Sequence, residues 1–466
     1  MTLRMRRLIY STFIAIFFLV SPPLVFYTAG YRYDFKHNRV IETGSLVVKS
    51  YPPNADIYLD DVLYQEKTPT IVNTISPGTV HLRIEKEGYR VWKKDIEIEP
   101  RVTSFEETVR LFADTEPTRL IKDGVVDYWW NNRQEKIVYQ TATSVRLLNT
   151  LNNSDTLIAN INPSIRVDIS WSKDNNWFIL ARTTSRAAQN FIINANQPDQ
   201  FIDLANVTTL NLSNVQWNPS SSDSVYALSG GALYRIPYLL KETRLIHRGF
   251  ITDYQVEEKR IVFIEQPLKS TGYLSWISLS DSDTIHRVAE IASPETTKII
   301  PTHSHRVAYQ DINSRVLTVI DPTIIENSID VRERSIANIK EAVWSTNGDY
   351  LFYTDGFALY RESFTNPITV IPSKPSSQII TRYSSPIGHL FIGDDESFIY
   401  YTVGESLRVI QFGDQHSVRL VDGIAGIQKP AFFPAKQAIT YIDENGSLLF
   451  LPLLREHDIN TGFFGG

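Results

Sequence analysis

One unit recurs along most of this chain, and the recurrence sharply limits what the chain can fold into. A large apolar or aromatic residue ends one strand-like run, a polar turn follows, and eight positions later an apolar residue sits in the middle of the next run. Trp130 precedes Val138 in this way, Trp171 precedes Ile179, Tyr254 precedes Val262, Trp344 precedes Phe352, Phe391 precedes Ile399 and Phe433 precedes Tyr441. Trp217 fits with one extra residue before Tyr226, and a weaker copy runs from Ile300 to Ala308. The turns between are rich in Asn, Asp and Gly, as in Asn131-Asn132, Asp174-Asn175-Asn176 and Asn347-Gly348-Asp349. The anchors lie 37 to 47 residues apart, about 43 on average. All-β units of about 40 to 50 residues, each unable to bury its own apolar faces alone, stack as the blades of a β-propeller. Eight units favour eight blades, with seven as the alternative because the copy at Ile300 is poor. The last unit stops after its third strand near Leu453, while the region opens with a spare strand, 118–122. Pairing the two closes the ring without an open edge.

The first thirty residues follow a different rule. Leu8 to Ala29 is an uncharged run of 22 residues, about 33 Å long as a helix and sufficient to cross a bilayer core. Leu8, Ile14, Phe17, Phe18, Leu24 and Phe26 are the membrane-anchoring side chains of this reading. Arg4, Arg6 and Arg7 precede the run with no acidic residue, so the positive-inside rule keeps the N-terminus in the cytoplasm and exports the rest. A cleaved signal peptide with a short apolar region, Leu8 to Val20, broken by Pro22 and Pro23, is the competing reading, although no small-x-small pair follows the apolar run cleanly.

Between anchor and ring the pattern has period two. Val80, Leu82 and Ile84 alternate with His81, Arg83 and Glu85, and similar short runs occur at 55–59, 96–98 and 109–111. Turn residues separate them, which predicts a small antiparallel β-sandwich. The succession Gly44-Ser45-Leu46-Val47-Val48, Pro52-Pro53-Asn54-Ala55, Pro69, Pro77-Gly78 and Gly88-Tyr89 with Trp92 resembles a PEGA domain. Its namesake Pro-Glu-Gly-Ala appears here as Pro52-Pro53-Asn54-Ala55, so two positions depart from the family pattern. The resemblance implies an extracytoplasmic structural or attachment role and brings no catalytic residues. As residues alone, the Pro, Gly and Asn set backbone angles and Tyr89 and Trp92 pack the sandwich.

The turns Trp344-Ser345-Thr346-Asn347-Gly348 and Trp171-Ser172-Lys173-Asp174-Asn175 resemble those of exported WD40-like and TolB-like propellers, without the Gly-His and terminal Trp-Asp of true WD40 repeats. The order of anchor, PEGA-like module and propeller is similar to a recurrent class of bacterial envelope proteins. The expected organisation is a cytoplasmic tip and signal anchor over 1–30, a juxtamembrane linker over 31–43, the PEGA-like sandwich over 44–113, a linker over 114–117, the propeller over 118–455 and a tail over 456–466.

Composition narrows the function classes. A net charge of -6 with 12% aromatic residues does not fit a disordered or nucleic-acid-coating chain, and the absence of cysteine removes disulfides, thiolate metal sites and a cysteine nucleophile together. There is no Gly-x-Ser-x-Gly elbow, phosphate-cradling loop, His-Glu-x-x-His helix or full calcium loop. His303 and His305 are two apart and are weak candidates for a metal, with no third ligand in sequence. Asp281 with Asp283, and Asp394-Asp395-Glu396, read as solvated turns rather than a cation site. Tyr128, Trp129, Tyr400 and Tyr401 suit either a stacking surface or the wedge between blades, and the wedge is favoured. Asn152, Asn206, Asn211 and Asn445 begin Asn-x-Ser/Thr sequons and mark surface loops.

No catalytic residue and no cofactor is expected. The leading reading is a membrane-anchored extracytoplasmic binding or scaffolding protein. The bilayer holds one helix, and an envelope protein or cell-wall glycan is the partner of the propeller face. A propeller glycosidase or lyase with a site dispersed around the channel mouth is the first alternative, and a purely structural wall-attachment protein the second.

Overall fold

The computed structural model describes residues 3–28, 31–34, 39–122, 124–184, 188–268, 271–280, 284–302, 305–325, 328–364, 377–393, 398–411, 417–421 and 426–459. They form two compact units, one of residues 1–116 with 452–466 and one of residues 117–451.

The first unit begins with helix α1 (Leu3–Thr28), which runs through Pro22 and Pro23. Proline removes an N–H donor from the helical ladder. Beside the pair, the Ser21 hydroxyl donates to the carbonyl of Phe17 at 2.6 Å. The window Ile9–Phe26 is apolar on every side and none of it is buried in the protein. A helix hydrophobic all round finds its solvent either in a protein core or in lipid. Strands β1 (Tyr31–Asp34) and β2 (Arg39–Glu42) then pair as an antiparallel hairpin.

A sandwich follows, built from β3 (Gly44–Tyr51), β4 (Asp56–Leu59), β5 (Val62–Leu63), β6 (Thr70–Ile75), β7 (Gly78–Glu85), β8 (Trp92–Ile98) and β9 (Thr103–Arg110). One sheet has the order β6-β3-β9 and the other β5-β4-β7-β8. Leu46, Val48 and Val72 of the first and Ile57, Leu82, Ile84, Trp92 and Ile98 of the second are buried. Their period-two spacing puts them on one face of each strand, as the alternation predicts. One pairing corrects the expectation of an antiparallel module: β3 and β9 run parallel, from Ser45 beside Thr103 to Tyr51 beside Arg110. Period two sets which residues face inward and is silent on strand direction.

The second unit opens with β10 (Thr118–Ile121) and contains, among its described residues, eight four-stranded sheets. In chain order we call them sheets 1 to 8, spanning 125–160, 166–203, 213–248, 251–291, 297–336, 341–382, 387–421 and 428–452. Neighbouring strands within each are antiparallel, and the first strands approach one another from sheet 2 through to sheet 5 and from sheet 6 through to sheet 8. This is a β-propeller. Sheet 8 takes three strands from the end of the region and its outer strand from the beginning, with Thr118 beside Phe450 and Arg119 beside Leu449.

Each sheet buries both faces, so the second strands are apolar without alternation. In sheet 1 Val138 faces sheet 2, in a cluster with Val167, Ile169 and Phe178. Its neighbours Ile137 and Tyr139 face sheet 8, beside Ile442 and Leu448. Similar clusters join sheets 2 to 3, 3 to 4, 4 to 5, 5 to 6 and 6 to 7. Between sheets 7 and 8 the stacked rings of Phe391, Tyr400 and Phe432 take that place.

Candidate functional site

The recurring turn comes first, because it fixes where the anchors sit. In sheet 2 the Ser172 hydroxyl donates to Asp174 at 2.6 Å and accepts the Trp177 N–H at 3.0 Å. In sheet 6 Ser345 does the same with Asn347 at 2.8 Å and with the Tyr350 N–H at 2.9 Å. Asp174 and Asn347 in turn accept the backbone N–H two residues on, from Asn176 at 3.0 Å and Asp349 at 2.9 Å, which holds the tight turn without help from elsewhere. The Ser-x-Asp/Asn signature is accounted for by turn formation.

Every sequence anchor lies in the first strand of a sheet, at or within two residues of its end: Trp130, Trp171, Trp217, Tyr254, Ile300, Trp344, Phe391 and Phe433. Several tie their sheet to the preceding one. The Trp171 indole donates to the Trp129 carbonyl at 3.3 Å, Trp217 to the Ser170 carbonyl at 2.9 Å, and Trp130 to Thr440 Oγ1 at 3.1 Å. Tyr254 donates to the Tyr226 carbonyl at 2.9 Å. An indole or phenol in such a wedge supplies apolar area and keeps its one polar atom satisfied. Tyr128, Tyr400 and Tyr401 are buried, and Trp129 packs against the core between sheets 1 and 2. The three tyrosines therefore offer no open stacking face, and Trp129 is half-buried.

The first strands carry a belt of polar side chains. Gln216 of sheet 3 accepts the Val256 N–H at 3.1 Å and donates to the Tyr254 carbonyl at 2.8 Å, both in sheet 4. Asp253 of sheet 4 accepts the Ile299 N–H of sheet 5 at 3.0 Å. Glu341 of sheet 6 accepts the Leu390 N–H of sheet 7 at 3.0 Å. Lys429 of sheet 8 and Asp127 of sheet 1 form an ion pair. The free edge of a first strand has no further strand to bond, and these side chains stand in for one. Burial pushes the Asp253 carboxyl above its usual range, opposed by the Ile299 N–H and by Lys298.

On the turn side, cations at matching places in the repeat cross to the next sheet. Lys136 donates to the Ala195 carbonyl at 3.1 Å, Arg260 to the His305 carbonyl at 3.0 Å, and Arg306 to the carbonyls of Gly348 at 3.2 Å and Phe364 at 2.6 Å. His305 pairs through Nε2 with Asp321 at 2.9 Å. Its proposed companion His303, together with Asp281, Asp283 and 394–396, lies outside the described residues. Among the described residues no three His, Asp or Glu side chains gather as metal ligands.

A second polar cluster, which no local spacing signalled, sits between the outer parts of sheets 3 and 4. Glu265 is buried and holds His247 Nε2 at 2.9 Å, with Ser275 and Arg287 each at 3.4 Å. The His247 hydrogen bond is the main cause of the lowered Glu265 carboxyl pKa, against the opposing effect of burial. Ser275 bonds the carboxylate and not the imidazole, so the trio lacks the serine-to-histidine link of a nucleophilic relay.

In the sandwich, Asn54 donates to Thr68 and Ala55 accepts from it. The Asn54 N–H reaches the Thr68 carbonyl at 2.7 Å, and the Thr68 N–H reaches the Ala55 carbonyl at 3.0 Å. Pro52 is buried while Pro53, Pro69 and Pro77 are exposed, Gly78 and Gly88 take left-handed φ, and Tyr89 and Trp92 are in the core. Residues 43–113 match the PEGA domain. The PEGA domain accounts for these residues as turn and core positions. Of the residues expected to meet the membrane, Ile14, Phe17, Phe18, Leu24 and Phe26 are exposed apolar side chains of α1, and Arg4, Arg6, Arg7 and Leu8 fall within the same helix. No curated protein sequence matches the chain. Among solved structures, the C-terminal WD40 domain of Sif2 is similar at 12% identity and TM-score 0.49, covering 73% of this chain and 99% of that one. The dihydro-heme d1 dehydrogenase NirN is similar at 13% identity and TM-score 0.45, covering 63% and 66%. An oligogalacturonate lyase from Vibrio parahaemolyticus is similar at 12% identity and TM-score 0.39, covering 72% and 99%.

Proposed function

We propose that this chain is a membrane-anchored binding or scaffolding protein of the cell envelope, with its N-terminus in the cytoplasm and the PEGA domain and propeller outside. The observation that carries the reading is α1, an 18-residue apolar window with no surface buried in the protein, preceded by Arg4, Arg6 and Arg7. Lipid is the solvent that suits such a helix. The PEGA domain that follows supports an extracytoplasmic setting. The propeller supplies a rigid face for an envelope protein or a wall glycan. The wall carboxylates support binding over acid–base chemistry, because Asp127, Asp253 and Glu341 are already engaged by a lysine or a backbone N–H of the adjoining strand.

The absence of native cysteine makes a direct test available. In intact cells a membrane-impermeant maleimide labels a Phe201→Cys chain, while a Thr2→Cys chain reacts only after permeabilisation. The opposite pattern overturns the orientation. Retention of the detergent-solubilised chain on purified wall polymer separates a glycan partner from a protein partner.

A further inference from the structure

Side chains, and not the chain alone, link one end of the PEGA domain to α1. Phe26, which closes the apolar window Ile9–Phe26, meets the ring of Tyr31 edge to face at 5.5 Å. The Arg101 guanidinium lies over the same Tyr31 ring at 5.4 Å. Arg101 belongs to the turn between β8 and β9 and takes a left-handed φ of 63°. A residue with a side chain persists there only where its surroundings fix it. Here the turn is bonded to the exit of the β1–β2 hairpin: the Arg101 N–H reaches the Thr43 carbonyl and the Ser45 N–H the Val102 carbonyl, both at 3.1 Å. Gly44 allows the approach, since a Cβ there would stand 2.6 Å from the Glu99 carbonyl oxygen.

Around this contact the surface is apolar and uncovered. Tyr33 stands opposite Val40 in the hairpin, on the face that carries Tyr31. The two are 47% and 59% exposed, and Val102 is 45% exposed. Arg101 is exposed as well, and its ion pair with Glu42 is loose, at 3.8 Å. Tyrosine, aliphatic side chains and arginine together suit the boundary between hydrocarbon and headgroups, where part of a side chain sits in an apolar medium and its tip in a wet one. The opposite end of the domain is covered by the chain itself. There the Tyr51 hydroxyl donates to the Asp458 carbonyl at 2.7 Å, the Tyr89 hydroxyl bonds the Asp458 carboxylate, and the Ala113 N–H reaches the Leu453 carbonyl at 2.8 Å.

We propose that the hairpin end of the PEGA domain, with Tyr31, Tyr33, Val40, Arg101 and Val102, is a lipid-contact surface that lies in the headgroup layer beside α1. The reach carries the choice of lipid as occupant. Through Tyr31 the Arg101 guanidinium is at most about 11 Å from the Phe26 ring, and the headgroup layer adds about 5 to 8 Å to each side of the hydrocarbon core. An amphipathic surface settles about 5 to 10 Å into that boundary, and an arginine there meets phosphate oxygens. The domain is then held against the bilayer and does not swing on a free tether. This inference rests on the membrane reading of α1 and adds a second lipid contact that the helix alone does not provide.

The test uses the full chain in phosphatidylcholine–phosphatidylglycerol nanodiscs, where every cysteine is an introduced one and carries a bimane label. Phe18→Cys reports on the helix, while Val40→Cys and Val102→Cys report on the surface. Val91→Cys is the control: it is also 45% exposed, and it lies in the turn at the far ends of β7 and β8. A nitroxide on the lipid headgroup is expected to remove more than half of the emission at Val40 and Val102 and to leave Val91 unchanged, and a nitroxide on the acyl chain quenches Phe18. Quenching at Phe18 with Val102 behaving like Val91 overturns the lipid contact and leaves the membrane reading standing. An unquenched Phe18 overturns the membrane reading itself. A Val102 label shielded from aqueous iodide but untouched by either nitroxide assigns the surface to a protein, either a partner or a second copy, and overturns the proposal.

Discussion

Asp253 accepts the backbone N–H of Ile299 at 3.0 Å, so a side chain of sheet 4 completes the free edge of sheet 5. Lys298 lies 3.8 Å from its other oxygen. Burial is the main cause of the raised Asp253 pKa. A folded-state value above the ordinary 3.8 favours the folded chain while the carboxyl is protonated, and this contribution is lost as pH rises through the folded value. An Asp253→Asn chain keeps the acceptor for Ile299 and lacks the titration. Its urea midpoint therefore gains on the native chain between about pH 3 and about pH 7. A constant difference across that range would refute the assignment.

Glu265 has the opposite sign. Its carboxyl is held below the ordinary 4.5, first by the hydrogen bond from His247. Its contribution is present above 4.5 and is lost as pH falls through the lower folded value. Glu265→Gln is expected to cost about 1.5 to 3 kcal/mol near neutrality, and the gap to the native chain narrows in acid. Denaturant titrations at several pH values measure both.

Trp217→Phe keeps most of the ring area and removes the donor to the Ser170 carbonyl. We expect a loss of about 1 to 3 kcal/mol, from the lost hydrogen bond to a half-buried carbonyl and a smaller side chain in the wedge. Thermal unfolding followed by tryptophan fluorescence reads it.

Replacing Thr118–Ile121 by a Gly/Ser linker removes the outer strand of sheet 8. The edge of Leu448–Pro452 is then open to other chains. The expected outcome is self-association with earlier unfolding, seen by light scattering, and a monodisperse variant of native stability would contradict it.

Phe17→Arg places a charge in the middle of the apolar window Ile9–Phe26. Insertion should weaken by about 2.5 to 3.5 kcal/mol. Carbonate extraction of membranes then releases more of this variant than of the native chain, whereas Phe201→Arg on the propeller surface changes nothing.

Much of the architecture is local in origin and therefore legible in the residues. Trp171 and Trp344 recur because each unit needs one large side chain at the same wedge, and Ser172 and Ser345 recur because each needs the same turn. The unbroken apolar second strands, such as Phe398–Val403, follow from burial on both faces. The uncharged run from Leu8 makes up most of α1, which starts earlier, at Leu3, and takes in Arg4, Arg6 and Arg7. The period of two over Val80, Leu82 and Ile84 states which side chains face inward.

What the residues could not disclose is set by contacts between segments remote in sequence. The parallel pairing of β3 with β9 obeys the same alternation as an antiparallel one. Asp253 reaches a donor in the next sheet, His247 and Glu265 meet across two sheets, and Tyr51 and Tyr89 meet Asp458 from the other end of the chain. No spacing encodes these, because each depends on how sheets already formed come together. By itself the sequence determined the repeat, the apolar helix and the core faces, since those rest on local periodicity and hydropathy. Only the tertiary structure decided which polar groups complete the sheet edges and where residues 452–459 dock, since both are settled by the backbone donors and acceptors that packing leaves unpaired.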